Sequence, residues 1–160
     1  MKLYAAPVLA FAVLALAGPV DAKKEAQAET PHLSCTGEPN ELLIVVKNVK
    51  ESVGLISAEL YRNEEATFLT KEGRERRIRV AARAPVTKFC IHAPATAAYA
   101  MAIYHDENAN LKFDKGPFGL PAEPYGVSNN PRMRFAPPTI GEALFHVDIN
   151  GAKVEIDLKD

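Results

Sequence analysis

The stretch ALFHVDINGAKVEIDL, residues 143–158, carries the sharpest local pattern in the chain. Apolar and polar residues alternate on both sides of Asn150-Gly151, and Asn-Gly is a dipeptide that two-residue turns between antiparallel strands favour. The residues expected to face one way are Phe145, Val147, Ile149, Val154, Ile156 and Leu158. The pattern predicts a β-hairpin with one buried face at the end of the chain.

Three further segments have the composition of strands. Residues 41–49, ELLIVVKNV, are crowded with β-branched side chains, and residues 54–61, GLISAELY, alternate between apolar and polar. Residues 96–105, TAAYAMAIYH, are apolar on both faces, as is typical of a central strand. A short helical turn is predicted in residues 63–73. Short strands separated by turns predict an all-β fold, an antiparallel β-sandwich of about seven strands with one long ordered loop.

The N-terminal residues are typical of an export signal. Lys2 precedes an apolar run from Leu3 to Ala17, and Ala22 follows at the distance where a signal peptidase cuts. The run is shorter than the roughly 20 residues of a membrane-spanning helix, and no later segment replaces it. We predict a signal peptide over residues 1–22, a flexible tether over residues 23–40 and a β-sandwich domain over residues 41–160. The expected location is periplasmic or extracellular; an uncleaved N-terminal anchor is the alternative.

The two cysteines, Cys35 and Cys90, are expected to form a disulfide in an oxidising compartment. A bridge that closes a loop of this length restrains the unfolded chain by about 4 kcal/mol, less any strain. A reactive or metal-binding thiol is the less favoured alternative, because the sequence contains no CxxC.

The charge balance argues against a nucleic-acid partner. The chain has 19 Lys and Arg residues against 20 Asp and Glu residues, a formal net charge of −1. The most basic run is KEGRERRIRVAAR, residues 71–83, where Arg77 and Arg79 alternate with Ile78 and Val80. That alternation is typical of a strand with one solvated face. An anionic ligand on the two arginines is the alternative.

Residues 106–141 are rich in proline and have no sustained periodicity. The segment also contains the apolar residues Phe113, Phe118, Leu120, Tyr125, Val127, Met133 and Phe135. This apolar content argues against disorder, so we predict an ordered loop that packs over the end of the sandwich. A ligand surface is expected there at Tyr125, Ser128, Asn129 and Asn130. The alternative is that the loop only closes one end of the core.

The stretch HDENANLKFDKG, residues 105–116, sets oxygen-bearing side chains at intervals of two, two and four residues. Alternate side chains of a tightly curled loop point inward, which is the arrangement that Ca²⁺ requires. The predicted ligands are Asp106, Asn108, Asn110, Asp114, the backbone carbonyl of Lys112 and, if the loop folds back, Glu123. With few carboxylates the dissociation constant should be about 10⁻⁴ to 10⁻³ M. An ion-free Asx turn is the alternative.

The run YAMAIYHDENANLKFDKGPFGLPAEPYGVSNN, followed by PP and EALFHV, resembles a bacterial exported family catalogued as domain of unknown function 2141. The resemblance extends from Leu42 to the C-terminus. Family members usually read DxNxNGxxD in the loop, where this chain has Leu111 in place of the glycine. The resemblance implies a small exported β-sandwich of the transthyretin-like or carboxypeptidase-regulatory kind, and it brings no established activity.

Enzymatic functions are the less favoured class. His105, Asp106 and Ser128 are residue types that a hydrolase uses, but the sequence has no GxSxG motif. A zinc site would need His92, His105 and His146 to converge from different strands. We therefore predict a non-enzymatic binding or structural module whose partner is an unidentified protein or small molecule. The alternative is a periplasmic hydrolase or a zinc-dependent enzyme that uses His105.

Overall fold

The computed structural model describes residues 34–132 and 136–160, which form eight strands and one short helix. The strands are β1 (Glu41–Lys47), β2 (Leu55–Arg62), β3 (Arg74–Ala81), β4 (Val86–His92), β5 (Ala97–Asp106), β6 (Tyr125–Val127), β7 (Phe145–Val147) and β8 (Ala152–Asp157). The helix α1 spans Ile140–Ala143, and 3₁₀ turns span Glu65–Thr67 and Pro117–Gly119. The predicted signal peptide, most of the predicted tether, Met133 and Phe135 lie outside the described residues.

The strands form two sheets around one apolar core. Sheet A has the order β4-β1-β8, and sheet B has the order β3-β2-β5-β6, with β7 pairing to the other half of β5. Every pair is antiparallel except β1 with β8, which runs parallel. The predicted all-β sandwich is therefore confirmed, with one parallel pair in an otherwise antiparallel arrangement. No helix among the described residues is long and apolar enough to cross a membrane.

The core follows the two-residue period of the strands. Alternate residues of β1, β2 and β5 face inward, and nearly all are completely buried: Leu42, Ile44, Val46, Ile56, Ala58, Leu60, Tyr99, Met101 and Ile103. The opposite face of β5 is covered as well, as its composition predicts. The short helical turn predicted in residues 63–73 is present as a 3₁₀ turn at Glu65–Thr67.

The predicted C-terminal hairpin is wrong. Phe145–Val147 pairs with β5 in sheet B, whereas Ala152–Asp157 pairs in parallel with β1 in sheet A. A tight turn does form, in which the Gly151 amide donates to the Asp148 carbonyl at 2.9 Å, but these two residues make only an isolated bridge. Ile149, predicted to be buried, is 60% exposed. Alternation identifies the buried face of a strand and not its partner, and here the chain crosses between sheets so that both strands reach the same core.

The predicted disulfide is confirmed. Cys35 and Cys90 are bonded, with 5.3 Å between their Cα atoms. The bridge ties the segment before β1 to β4, whose Cys90 is paired with Leu43 of β1. The segment before β1 is thereby fastened to a buried position on β4, an edge strand of sheet A.

The long segment after β5 is ordered where the structure describes it, and it lies mainly on the outer face of sheet B. It contributes β6 and α1, and a second apolar cluster forms where α1 packs on that face: Tyr61, Ala100, Val127, Ile140 and Ala143, with Phe68 and Leu144 at its margin. The expectation that this segment closes one end of the sandwich is corrected accordingly. Sheet B needs such a cover because its outer face also carries apolar side chains.

Candidate metal-binding loop

The candidate loop runs from the last residue of β5 to the start of β6. Asp106 ends β5 and is fully buried. Its Oδ1 accepts a hydrogen bond from the Asn110 amide at 3.0 Å, and its Oδ2 accepts one from the Leu111 amide at 2.8 Å. Two backbone donors aimed at one carboxylate hold the loop in a tight curl above the end of the strand.

The next two polar side chains continue the curl. Asn108 Oδ1 accepts from the Asn110 amide at 2.9 Å, and Asn110 Oδ1 accepts from the Lys112 amide at 2.9 Å. Ala109 and Leu111 have φ of +56° and +66°, in the left-handed region that favours glycine. The backbone at Leu111 thus adopts a glycine-like conformation although the residue is leucine. These bonds are those of the ion-free Asx turn.

Three of the predicted ligands are brought together. Asp114 Oδ2 accepts from the side-chain amides of Asn108 and Asn110, at 2.9 and 2.7 Å. Each amide places its nitrogen toward Asp114 and its oxygen toward the backbone. Rotating an amide by a half turn would direct its oxygen toward Asp114 at the expense of one Asx bond.

Glu123 folds back onto this group, as the predicted site required. The Asp114 amide donates to Glu123 Oε2 at 3.0 Å, and the Ala122 amide donates to the Asp114 carbonyl at 3.0 Å. Glu123 is only 6% exposed, and its other oxygen, Oε1, is buried without a hydrogen-bond partner. Burial raises the pKa of Glu123, opposed by the Asp114 amide and reinforced by the negative charges of Asp106 and Asp114.

The carboxylates are close but not yet at ligand spacing. Among the described residues, three ligand atoms of His, Cys, Asp or Glu lie within 4.8 Å of one another only at Cys35, Glu41 and Cys90. Both sulfurs there are joined in the disulfide, so that group is not a free thiolate site. In the loop, side-chain rotations would have to bring the carboxylates closer around an ion.

Contacts with sheet B fix the position of the loop. The Phe113 ring packs 5.2 Å from the Tyr104 ring and 6.0 Å from the Tyr125 ring, between centroids. Arg79 Nη2 donates to the Leu111 carbonyl at 3.2 Å. Gly54, just before β2, lies so close to the end of β5 that an added Cβ would be 2.1 Å from the Asp106 carbonyl oxygen. The loop is therefore attached to a rigid support.

The residues of the predicted ligand surface are engaged in holding β6 in place. Ser128 is fully buried, accepts from the Met101 amide at 2.9 Å and donates to the Ala143 carbonyl. Asn129 Nδ2 donates to the Leu144 carbonyl at 2.6 Å. Asn130 bridges to β8, donating to Glu155 at 3.1 Å and accepting from Asp157 at 2.8 Å. Tyr125 packs against Phe113. A ligand surface at these residues stays a prediction.

The candidate catalytic residues are distributed over different parts of the fold. His105 is fully buried, and its Nε2 lies 2.8 Å from the Val53 carbonyl oxygen. His92 belongs to sheet A and His146 to β7 in sheet B. No three of these side chains approach ligand distance within the described ranges. The hydroxyl of Ser128 bonds backbone groups rather than a histidine.

One polar group was missed by the sequence interpretation. Glu59 of β2 is 8% exposed and accepts hydrogen bonds from the Tyr61 hydroxyl and from Arg77 Nε, the latter at 2.7 Å; Arg74 Nε lies 3.2 Å away. Burial raises the pKa of the Tyr61 hydroxyl, and its bond to Glu59 raises it further. The expectation that Arg77 lies on a solvated face is corrected: its side chain is half-buried and forms an ion pair with the buried Glu59. The sequence did contain a signal for this pair: Glu59 lies in a largely apolar strand, and the basic segment around Arg77 alternates in the same way, as a paired strand would.

The matched portion of the chain covers nearly all of the sandwich. A comparison with protein-family models matches residues 44–156 to a family described as "Uncharacterized protein conserved in bacteria (DUF2141)". No curated protein and no solved structure shows significant similarity. Because the match spans most of the chain, from within β1 to within β8, the protein belongs to this bacterial family, domain of unknown function 2141.

Proposed function

We propose that this protein is an exported, non-enzymatic β-sandwich module whose β5–β6 loop binds one calcium ion weakly. The single observation that carries the proposal is the buried Glu123 Oε1, which lacks a hydrogen-bond partner and belongs to a carboxylate that folds back onto Asp114. A buried acceptor left unsatisfied costs about 1–3 kcal/mol. A divalent cation removes that cost and neutralises the repulsion between neighbouring carboxylates.

The proposed ligands are the side-chain oxygens of the loop and Glu123. Asp106, Asp114 and Glu123 supply the charge; the remaining ligands are Asn108, Asn110 and the Lys112 carbonyl. Hard oxygen donors in a flexible arrangement suit Ca²⁺ better than Mg²⁺, which demands a near-ideal octahedron. Glu123 lies after residues 106–114 in sequence and supplies the last acidic ligand of the proposed site.

The affinity should be low because the loop must rearrange. The side chains of Asn108 and Asn110 have to turn their oxygens inward, and the three carboxylates have to approach one another. Leu111 already holds the left-handed conformation, so binding adds no new backbone strain there. These costs place the site among the weak ones found in extracellular modules, with a dissociation constant of about 10⁻⁴ to 10⁻³ M.

Export supports the same function. The Cys35–Cys90 disulfide is compatible with an oxidising compartment, and the N-terminal pattern predicts a signal peptide. In such compartments a weak site can be filled, and ion binding stabilises the folded state by mass action. The ordered loop would then present a fixed surface, near Tyr125 and Asn129, to an unidentified protein or small molecule.

Thermal unfolding with and without calcium tests the proposal. Millimolar Ca²⁺ should raise the melting temperature, Mg²⁺ at equal ionic strength should raise it less, and Asp114→Asn should abolish the calcium effect. A matched control is Asp148→Asn, because exposed Asp148 forms an Asx turn of the same kind, accepting from the Asn150 amide at 2.7 Å. An equal calcium response in both variants would refute the site.

A further inference from the structure

The loop after the candidate calcium site projects an apolar tip, defined here as Gly116–Pro121, GPFGLP. Phe118 is 100% exposed and Leu120 is 64% exposed. Of the six large hydrophobic residues exposed in the described part of the chain, three lie in this one loop: Leu111, Phe118 and Leu120. Single exposed apolar residues are ordinary, but a concentration of them indicates an interaction surface.

The backbone of the apolar tip is already satisfied internally. Gly116 donates to the Leu120 carbonyl at 2.8 Å, Gly119 to Gly116 at 3.2 Å and Leu120 to Pro117 at 3.4 Å. Pro117 and Pro121 have no N–H, so three of the four amide donors in the tip are paired within it. Moving the tip into an apolar phase therefore leaves few donors without a partner, which is the main cost of such a transfer.

The conformation of Phe118 holds its ring away from the protein. Its φ is +61°, in the left-handed region, and Gly119 follows at +75°. Glycine or asparagine would adopt this turn with less strain than phenylalanine. A large apolar side chain at the strained position, with no neighbour covering it, is not explained by the needs of the turn.

The shape and charge of the region point to a lipid surface. A convex ring needs a complementary pocket in a protein partner, whereas a bilayer deforms around it. The tip contains no charged side chain, and exposed Lys112 and Lys115 precede it. Lysine stems can lie along an apolar surface while their ammonium groups reach the phosphates of lipid headgroups. We propose that the apolar tip inserts reversibly into the interface of a phospholipid bilayer.

The absence of tryptophan from the chain allows a local test. Phe118→Trp creates a single fluorescent reporter at a fully exposed position, where the larger ring meets no packing constraint. With vesicles of phosphatidylcholine and phosphatidylglycerol in equal parts, its emission should shift to shorter wavelength and be quenched by brominated acyl chains. The control is Ile149→Trp, which is 60% exposed in the turn at the opposite end of the sandwich and should respond to neither.

Partitioning of the full chain gives a second measurement. Phe118→Ser should reduce vesicle flotation by about tenfold or more, the effect expected for one aromatic side chain withdrawn from an apolar phase. Replacing both Lys112 and Lys115 by Gln should weaken binding to the anionic vesicles and leave binding to pure phosphatidylcholine unchanged.

Two results would overturn the lipid proposal. One is an emission spectrum of Phe118→Trp that vesicles do not change. The other is a shift that appears on concentrating the protein without vesicles, which would assign the tip to self-association. All samples are measured in EDTA and again in calcium. Insertion in EDTA would show that the tip binds lipid without calcium. Thermal unfolding with and without calcium tests the calcium site separately.

Discussion

Replacement of Glu123 by Gln is the perturbation that separates an ion ligand from a structural acceptor. The amide has the same shape and can still accept from the Asp114 amide, the bond that Glu123 Oε2 makes at 3.0 Å. The substitution removes the negative charge of a carboxylate whose other oxygen, Oε1, is buried without a hydrogen-bond partner. That charge lies near the negative charges of Asp106 and Asp114. Without calcium, we expect Glu123→Gln to stabilise the fold at neutral pH by about 1 kcal/mol, because the neutral amide removes a buried negative charge and its repulsion with Asp106 and Asp114.

With calcium the order should reverse. At a calcium concentration ten times the dissociation constant, the wild type gains about 1.4 kcal/mol, or about 5 °C in melting temperature for a domain of this size. The variant should gain little, because it lacks one charged ligand. Urea titrations in EDTA and in calcium measure both differences. Glu51→Gln is the control, since Glu51 is exposed, lies outside the proposed ligand set and is not among the charges that act on Glu123.

The pH dependence adds an independent check. Burial raises the pKa of Glu123 above its ordinary value of 4.5, so the folded state binds this proton more tightly than the unfolded chain does. In EDTA the contribution of Glu123 to stability should therefore fall as pH rises from the unfolded pKa through the folded one. Glu123→Gln should lack this fall. A variant that keeps the calcium response, or that is strongly destabilised in EDTA, would refute the reasoning.

Three further predictions concern the scaffold. Changing both Cys35 and Cys90 to Ser should lower the free energy of unfolding by up to about 4 kcal/mol, measured by urea titration, and equal stability would mean that the bridge does not form. Gly54→Ala should destabilise the protein by more than about 1 kcal/mol, because Gly54 has a positive φ and an added Cβ would overlap the Asp106 carbonyl. Calcium should not restore the lost stability. Intact-mass measurement of exported protein should place its N-terminus at or near Lys23, and an unprocessed product would contradict the signal peptide.

Part of the candidate site was predictable because its contacts are local. Asp106, Asn108, Asn110 and Asp114 lie within nine residues, and their Asx bonds span two to five positions along the chain. The fold-back of Glu123 was stated only as a condition, since it depends on the bridge between Lys115 and Pro121. The exposure of Phe118 was not foreseen, because apolar composition argued for packing.

The sequence by itself determined which residues of β2 face the core, that both faces of β5 are covered, the pairing of the two cysteines and the curl of the loop after β5. The strand faces follow from the two-residue period of a strand, the disulfide from the presence of only two cysteines in the sequence, and the curl of the loop from hydrogen bonds between residues close in sequence. Only the tertiary structure decided that β7 and β8 belong to different sheets, that β1 and β8 run parallel, and that Glu59 is buried against Arg77. Those features are contacts between residues distant in sequence, and alternation is the same whichever strand a segment joins.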